Sequence, residues 1–398
     1  VTYLEGYYRP TVAAISLDAL RANVTAFKSR LSPGTRLLAS VKANAYGHGA
    51  VWTARAAVEA GADYLGVAFL DEALQLRDAG IDTPVLVLGL TPSEAFPIAR
   101  ERGVAVTLYR DDQLDAIERM PVNGAKLKAH VKVDSGMGRL GVLPGPAAER
   151  FLERAFKLPQ LAVEGLYTHY ARADESDKSY TEMQAERFAS VVDYVRRAEL
   201  PIAIVHAGNT AAGIDLPPRV GGMLRLGIGM YGLYPSDEVR RDEIALAPVM
   251  SLRTRLAHVK TLEAGEGISY GTRYFTEKRE SIGTLPIGYA DGFSRMLSGK
   301  AEVLVRGRRH PVVGSICMDQ CMVRLDEGTS GAAEPPWAPD EEVVLFGRQG
   351  DTVLPVEELA DKLGTINYEV TCMIAARVPR VYVSGGKVVG VANPLWQG

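Results

Sequence analysis

The chain has 398 residues, 47% of them hydrophobic and 23% charged, with a formal net charge of −3. That length exceeds one ordinary core and sets two domains as the expectation, in a composition typical of globular proteins. The small net charge and the lack of any Lys/Arg-rich run argue against a nucleic-acid partner, and no apolar run is long enough for a membrane helix.

The opening segment Val1–Pro10 is polar and aromatic, unlike a signal peptide. Leu17, Leu20, Val24, Phe27 and Leu31 then mark a helix with one apolar face. From residue 36 onward, short apolar runs alternate with helical patterns. The runs are Arg36–Val41, Tyr64–Phe69, Pro84–Leu88, Val104–Thr107, Leu127–Val133, Ala162–His169, Ile202–His206 and Met223–Leu226. Short, continuously apolar runs are what buried parallel strands look like. Gly49–Ala60, Asp71–Asp78, Pro92–Glu101, Asp111–Arg119, Pro146–Phe156 and Lys178–Ala198 are the helix candidates between them. The pattern predicts an α/β protein with a (β/α)8 TIM barrel. A doubly wound sheet competes, but it uses fewer strands, and no GxGxxG turn follows the first one.

Past about residue 245 the character changes. Val249–Leu262, Ser281–Tyr289, Ala301–Val305, Val312–Leu325, Glu342–Phe346 and Val381–Val391 read as strands, with turns at Asp291-Gly292, Arg306-Gly307 and Gly385-Gly386. Val356–Leu363 reads as a helix, and Asp326–Asp340 as an exposed loop. The expectation is a barrel domain over 12–244 followed by a mainly antiparallel β-domain over 245–398, which residues 1–16, with the strand Val12–Ile15, are free to join. The three cysteines, Cys317, Cys321 and Cys372, are too sparse for a disulfide framework. A reducing cytoplasm fits, and no Cys/His cluster completes a metal site.

Functional residues of a barrel sit on the loops after the C-terminal ends of its strands. Lys42 follows the first strand, where desolvation lowers a lysine's pKa and frees its neutral amine for a Schiff base. Taken alone, a strand-end lysine such as Lys42 reads much more readily as one snorkelling to the rim. Tyr46 adds a hydroxyl, and Gly47 and Gly49 allow close approach of a ligand. The segment from Lys132 to Arg139 follows the fifth strand, and His169 ends the sixth. His206-Ala207-Gly208-Asn209-Thr210 follows the seventh strand, and the segment from Arg225 to Gly232 closes the eighth. The loops after strands seven and eight are a common phosphate site, and Asn209-Thr210 and Gly227-Ile228 offer the hydroxyl and amides a phosphate needs. Singly, Thr210 is an N-cap and Gly227 a turn residue. Together with Lys42 they favour a pyridoxal 5′-phosphate (PLP) site.

VKANAYGHG, KVDSGMGRLG, HYARADE, HAGNTA, RLGIGMYGLYP, SYG, GYADG, CMDQ and INYEVTC, in that order over nearly the whole chain, resemble the signatures of alanine racemases. The resemblance implies a PLP-dependent barrel and β-domain acting as a head-to-tail homodimer with shared active sites. Its implied activity converts L-alanine to D-alanine for peptidoglycan. It implies that Lys42 is the Schiff-base lysine and one of two acid/bases, and that Tyr270, from the partner's β-domain, is the other. Two groups on opposite faces of a planar adduct invert an α-carbon directly. A tyrosine of pKa ~10 is a poor base, so its phenolate needs support, which His169 and Arg225 are implied to give.

Arg225 is also the implied partner of the pyridine nitrogen. An arginine accepts no proton, which would limit delocalisation into the ring and suppress transamination. The implied phosphate ligands are Tyr46, Thr210, Gly227, Ile228 and Tyr368, with Asn209 supporting the loop. Arg139 would bind the substrate carboxylate or the cofactor's phenolic oxygen. Lys132 stands where many members carry a carbamylated lysine. Met318 and Asp319 would line the substrate entrance from the partner subunit, and Tyr289 would narrow it. His48 and His206 pack or brace the cofactor loops. A broader-specificity or serine racemase of the same fold is the nearest alternative. A PLP-dependent decarboxylase is disfavoured by Arg225, and a non-catalytic PLP-binding barrel by the β-domain.

Overall fold

The computed structural model describes residues 6–325 and 336–396. Most of the loop expected at Asp326–Asp340, and the start of Val1–Pro10, lie outside the described residues. The rest falls into two compact units, one made of residues 19–45 and 50–247, the other of residues 6–18, 46–49 and 248–396.

The first strand in the chain, β1 (Val12–Ser16), belongs to the second of these units. The first unit holds β2 (Arg36–Ser40), β3 (Tyr64–Val67), β4 (Val85–Val87), β5 (Val104–Leu108), β6 (Leu127–Lys132), β7 (Leu161–Tyr167), β8 (Ile204–His206) and β9 (Met223–Leu226). They form one eight-stranded parallel sheet in the order β8-β7-β6-β5-β4-β3-β2-β9. Its two ends meet: Gly222 N–H donates to Val205 O at 2.7 Å, and Arg225 N–H to Gly208 O at 3.0 Å. This is the expected barrel, nearly closed, and the strands start and stop within two residues of where the apolar runs do.

The runs are continuous because both strand faces are covered: every residue of β3 and β5 is buried. Leu38, Leu86, Ile204 and Met223 form part of the inner core. The outer helices are amphipathic. Pro146–Lys157 starts on a proline after Gly145 and buries Ala148, Phe151, Leu152 and Ala155, an i, i+3, i+4, i+7 stripe. Burying Phe151 and Leu152 contributes roughly 1.5–3 kcal/mol each.

The second unit continues with β10 (Met250–Arg255), β11 (His258–Leu262), β12 (Gly267–Ile268), β13 (Tyr274–Phe275), β14 (Glu280–Leu285), β15 (Glu302–Val305), β16 (Arg308–Val313), β17 (Cys321–Leu325), β18 (Glu342–Gln349), β19 (Thr352–Leu354), β20 (Arg380–Ser384) and β21 (Lys387–Ala392). The large sheet runs β11-β14-β17-β16-β15-β18-β10-β1-β20-β21, with β19 on β18. It is antiparallel except where β1 lies parallel to β20.

Several local expectations need correction. Val249–Leu262 is two strands, β10 and β11, parted at residues 256–257. Val312–Leu325 is not one strand, because the chain leaves β16 at Gly314 (φ +70°) and loops through residues 314–320 before β17. A Cβ at Gly314 would stand 2.8 Å from Ile268 O, so the turn is tight against its neighbour. Ser281–Tyr289 stops at Leu285, and Tyr289–Asp291 is a 3-10 turn. The small hairpin β12–β13 and the helix Asn367–Met373 were not anticipated. No helix among the described residues is long and apolar enough to cross a membrane.

Candidate active site

Lys42 stands two residues past β2 and is half-buried, less enclosed than its position after a buried strand suggested. The chain then makes a left-handed turn. Ala43, Asn44, Ala45 and Tyr46 have φ of 53°, 51°, 54° and 53°, and none is a glycine. Left-handed backbone costs about 1–2 kcal/mol per such residue, so neighbouring contacts must hold the turn. Glu72 supplies one: its carboxylate accepts from Ala43 N–H at 2.6 Å and from Ala68 N–H at 2.7 Å. Asn44 supplies another, its Oδ1 accepting from Ala50 N–H at 2.9 Å.

Gly47 and Gly49 do not serve ligand approach as expected. A Cβ on Gly47 would sit 2.1 Å from Thr371 O, and one on Gly49 1.8 Å from the Tyr382 hydroxyl. Both glycines exist for close packing inside the second unit, where Arg380 Nε also donates to Gly47 O at 2.9 Å.

The loop after β6 is organised by Asp134. Its carboxylate accepts from Gly136 N–H and Gly138 N–H at 3.0 Å each and from Arg139 N–H at 3.1 Å. This fixes the backbone of Arg139, whose side chain is exposed and makes no ion pair among the described residues. Lys132, at the end of β6, is buried, with its Nζ 5.4 Å from the centre of the Tyr167 ring. Burial first, then the charges of Arg139 and Arg225, push its pKa down to about 7.

Arg225 is the centre of the barrel mouth and is 5% exposed. Its Nη1 donates to His206 Nδ1 at 2.8 Å, and its Nη2 lies 2.8 Å from both Thr168 O and Ala207 O and 3.0 Å from His169 Nδ1. Burial lowers even its pKa, to about 10. Burial and the Arg225 charge push both His169 and His206 well below the ordinary histidine value, so both are neutral. The Lys42 charge adds to the effect on His169.

Asn209 caps the helix Thr210–Asp215, its Oδ1 accepting from Ala212 N–H at 3.0 Å. The expected cap at Thr210 is therefore made one residue earlier, and the Thr210 hydroxyl is left to the loop after β9. It accepts from Gly227 N–H at 3.0 Å and, more loosely, from Gly229 N–H at 3.4 Å. A Cβ on Gly229 would lie 2.7 Å from Thr210 Cγ2, so the 3-10 turn Ile228–Tyr231 packs directly on that threonine.

In the second unit, the Tyr46 and Tyr368 rings stand 6.1 Å apart. Tyr270 opens the 3-10 turn between β12 and β13 and is 76% exposed. Its loop is held by Ser269 Oγ donating to Ser315 O at 2.6 Å and Ser315 Oγ donating to Tyr270 O at 3.0 Å. Tyr270, Tyr289, Met318, Asp319 and Arg295 line one cavity of about 620 Å3. Gly288 lets the two loops meet, since a Cβ there would lie 2.2 Å from Cys317 O. Asp319 pairs with Arg377 at 2.5 Å, and Arg377 also grips the buried Asp291 at 2.6 Å, so the Asp319 carboxylate is already partnered.

Sequence reasoning missed the supporting residues. Glu72 sits at the third position of a helix, where a carboxylate reads as a cap. Asp134 lay inside a quoted motif, where its D-x-G-x-G spacing signals an Asx-held loop. His130 drew no notice, being a polar residue in an apolar run. No cluster of three or more His, Cys, Asp or Glu residues suited to a metal occurs among the described residues.

The family described as Alanine racemase, N-terminal domain matches residues 15–235, and that described as Alanine racemase, C-terminal domain matches residues 249–382. The alanine racemase of Halalkalibacterium halodurans is 45% identical over 397 residues, spanning 98% of this chain and 100% of that protein. The one from Desulfovibrio desulfuricans is 48% identical over 376 residues, 94% and 98% of the two chains. Among solved structures, alanine racemase from Bacillus anthracis with bound L-Ala-P gives a TM-score of 0.91 at 41% identity, covering 98% of this chain and 99% of that one. The Clostridium difficile alanine racemase in complex with cycloserine gives 0.88 at 39% identity, covering 98% and 100%. Matched in both halves and along almost its whole length, the chain belongs to the alanine racemase family and is an amino-acid racemase.

Proposed function

We propose that this racemase interconverts L- and D-alanine in a homodimer whose active sites combine residues of two subunits, with PLP held on Lys42. The observation that carries this reading is Arg225, a buried cation fixed on two carbonyls and two neutral histidines. The residues present suit the cofactor. Arg225 offers a donor and no proton acceptor to a pyridine nitrogen, and the Thr210 hydroxyl, which accepts from the Gly227 and Gly229 amides and so keeps its own proton to donate, suits a phosphate.

Bound PLP supplies an electron-withdrawing ring that acidifies the α-proton of an amino acid. Lys42 exchanges that proton on one face, and Tyr270 of the partner subunit exchanges it on the other. His169 accepts from Arg225 at Nδ1, so its own proton lies on Nε2, free to donate to the phenolate of Tyr270 of the partner subunit. Arg225 would donate to the pyridine nitrogen without protonating it, which would restrain transamination. Tyr46, Thr210, Gly227, Ile228 and Tyr368 hold the phosphate, and Asn209 keeps their loop in place. Arg139 takes the substrate carboxylate. Lys132, with a pKa near 7, is uncharged often enough to add carbon dioxide, and its carbamate would face Arg139. Tyr289, Met318 and Asp319 shape the entrance and favour a methyl side chain. The product D-alanine serves peptidoglycan synthesis, and a cytoplasmic setting suits cysteines that form no disulfide, Cys317, Cys321 and Cys372.

The test is a racemisation assay on L-alanine, L-serine and L-lysine with PLP present. The protein should be yellow, borohydride should fix the cofactor on Lys42, and alanine should be preferred over serine by at least roughly tenfold. A colourless protein with no labelled lysine, or turnover of serine as fast as alanine, overturns the reading.

A further inference from the structure

Arg225 is held in place by an atom that must never carry a proton, His206 Nδ1, and a second buried histidine settles where that proton goes. His130 lies on β6 and His206 ends β8, and His130 Nδ1 is 2.9 Å from His206 Nε2. The rings meet edge to face, 76° apart with centroids at 5.2 Å. Tyr167 stacks flat on His206, at 4.8 Å and 6°, and holds its plane. The place for His130 is made by Gly165, its direct partner on β7: a Cβ there would sit 2.2 Å from His130 Nδ1. The pairing shifts register between Ala129 and His130, with Glu164 of β7 as the extra residue, so that Gly165 is the residue opposite the histidine.

The protons can be counted. Burial first, and then the facing charges of Arg225 and Arg36, push the pKa of His130 down to about 3. His206 is likewise neutral, so each ring carries one proton. A guanidinium only donates, so His206 Nδ1 is the acceptor and the proton sits on Nε2. His206 Nε2–H needs an acceptor, and His130 Nδ1 is the atom in reach. The proton of His130 is thereby driven to its Nε2, which has no hydrogen-bond partner among the described residues. The reverse arrangement would set an N–H of His206 against an N–H of Arg225.

We propose that His130 is a positioning residue: by accepting from His206 it locks the tautomer whose free Nδ1 lone pair holds the Arg225 guanidinium in place. Its effect on catalysis rests on the reading of Arg225 as the partner of the cofactor's pyridine ring.

The experiment uses the PLP-loaded dimer with 15N-labelled histidine. Both His130 and His206 should show an unprotonated Nδ1 and a protonated Nε2, with no titration between about pH 6 and 9. Two variants separate positioning from packing. His130→Asn keeps an acceptor near the Nδ1 position and should bind PLP within about threefold of the parent, whereas His130→Leu should weaken PLP binding about tenfold and lower kcat more than it raises KM. A proton on His206 Nδ1 in the parent overturns the proposal whether or not the variants fold. So does His130→Leu with unchanged PLP affinity where Arg225→Lys weakens it. If Arg225→Lys also leaves PLP affinity unchanged while the tautomer signals stand, the reading of Arg225 fails and the tautomer assignment is supported.

Discussion

The two units carry their functional residues in opposite ways. At the mouth of the barrel, Arg225, His206 and Lys132 are each 5% exposed or less: Arg225 spends its donors on two histidines and main chain, His206 bonds Arg225 and His130, and Lys132 lies over the Tyr167 ring. In the second unit, Tyr270, Met318 and Tyr289 are 76%, 53% and 42% exposed around a cavity of about 620 Å3. Monomeric proteins rarely leave aromatic residues grouped at the surface without a partner. Under the proposed function, the barrel would build its half of the site internally and the β-domain would present its half outward to a second subunit. Preorganisation by burial suits groups that must not move, and exposure suits a group that must meet another subunit.

That contrast can be broken by mutation. Tyr270→Phe should give the largest effect on rate, a loss of about 10²–10⁴-fold in both directions. Its stability should stay within roughly 0.5 kcal/mol, because the residue is exposed. Steady-state rates and thermal unfolding together check this, and a stability loss matching the activity loss would count against it. Arg225→Met should do the reverse in kind. It strands His206 Nδ1 and two buried carbonyls, costing about 2–4 kcal/mol, and weakens PLP binding as well. A variant as stable as the parent would show that the buried network contributes nothing.

The smallest effect concerns Lys132. The folded chain releases this proton near pH 7, while the unfolded chain keeps it up to 10.5. The unfolded state therefore binds more protons between these values, and stability rises with pH across that window. In bicarbonate-free buffer the melting temperature of the parent should climb relative to Lys132→Met between about pH 7 and 9. Parallel curves would remove the lysine from the account, whereas added bicarbonate stabilising only the parent would support the carbamate.

Much of the barrel was legible because burial on both faces writes strands as short apolar runs, as in Val104–Leu108. The motifs at the ends of those strands place Lys42, Arg139, Thr210 and Arg225 on or just beyond β2, β6, β8 and β9, as the structure has them. What stayed hidden depends on contacts distant in sequence or on backbone that residue type does not announce. His130 and His206 are 76 residues apart. The left-handed turn at residues 43–46 has only Asn44 to hint at positive φ. Gly47 and Gly49 looked like ligand glycines, yet their neighbours Thr371 and Tyr382 lie over 300 residues along the chain. The break at Gly314 was masked by β-branched residues on either side that read as one strand.

The central claim is that Lys42 of one subunit works with Tyr270 of the other. Lys42→Ala and Tyr270→Phe should each be inactive alone. When the two variants are unfolded together and reassembled, a mixed dimer contains one site with both native residues. Statistical mixing then predicts recovery of about a quarter of the parent activity. No recovery, with mixed dimers demonstrably formed, would mean that both residues serve the same chain and would contradict the account.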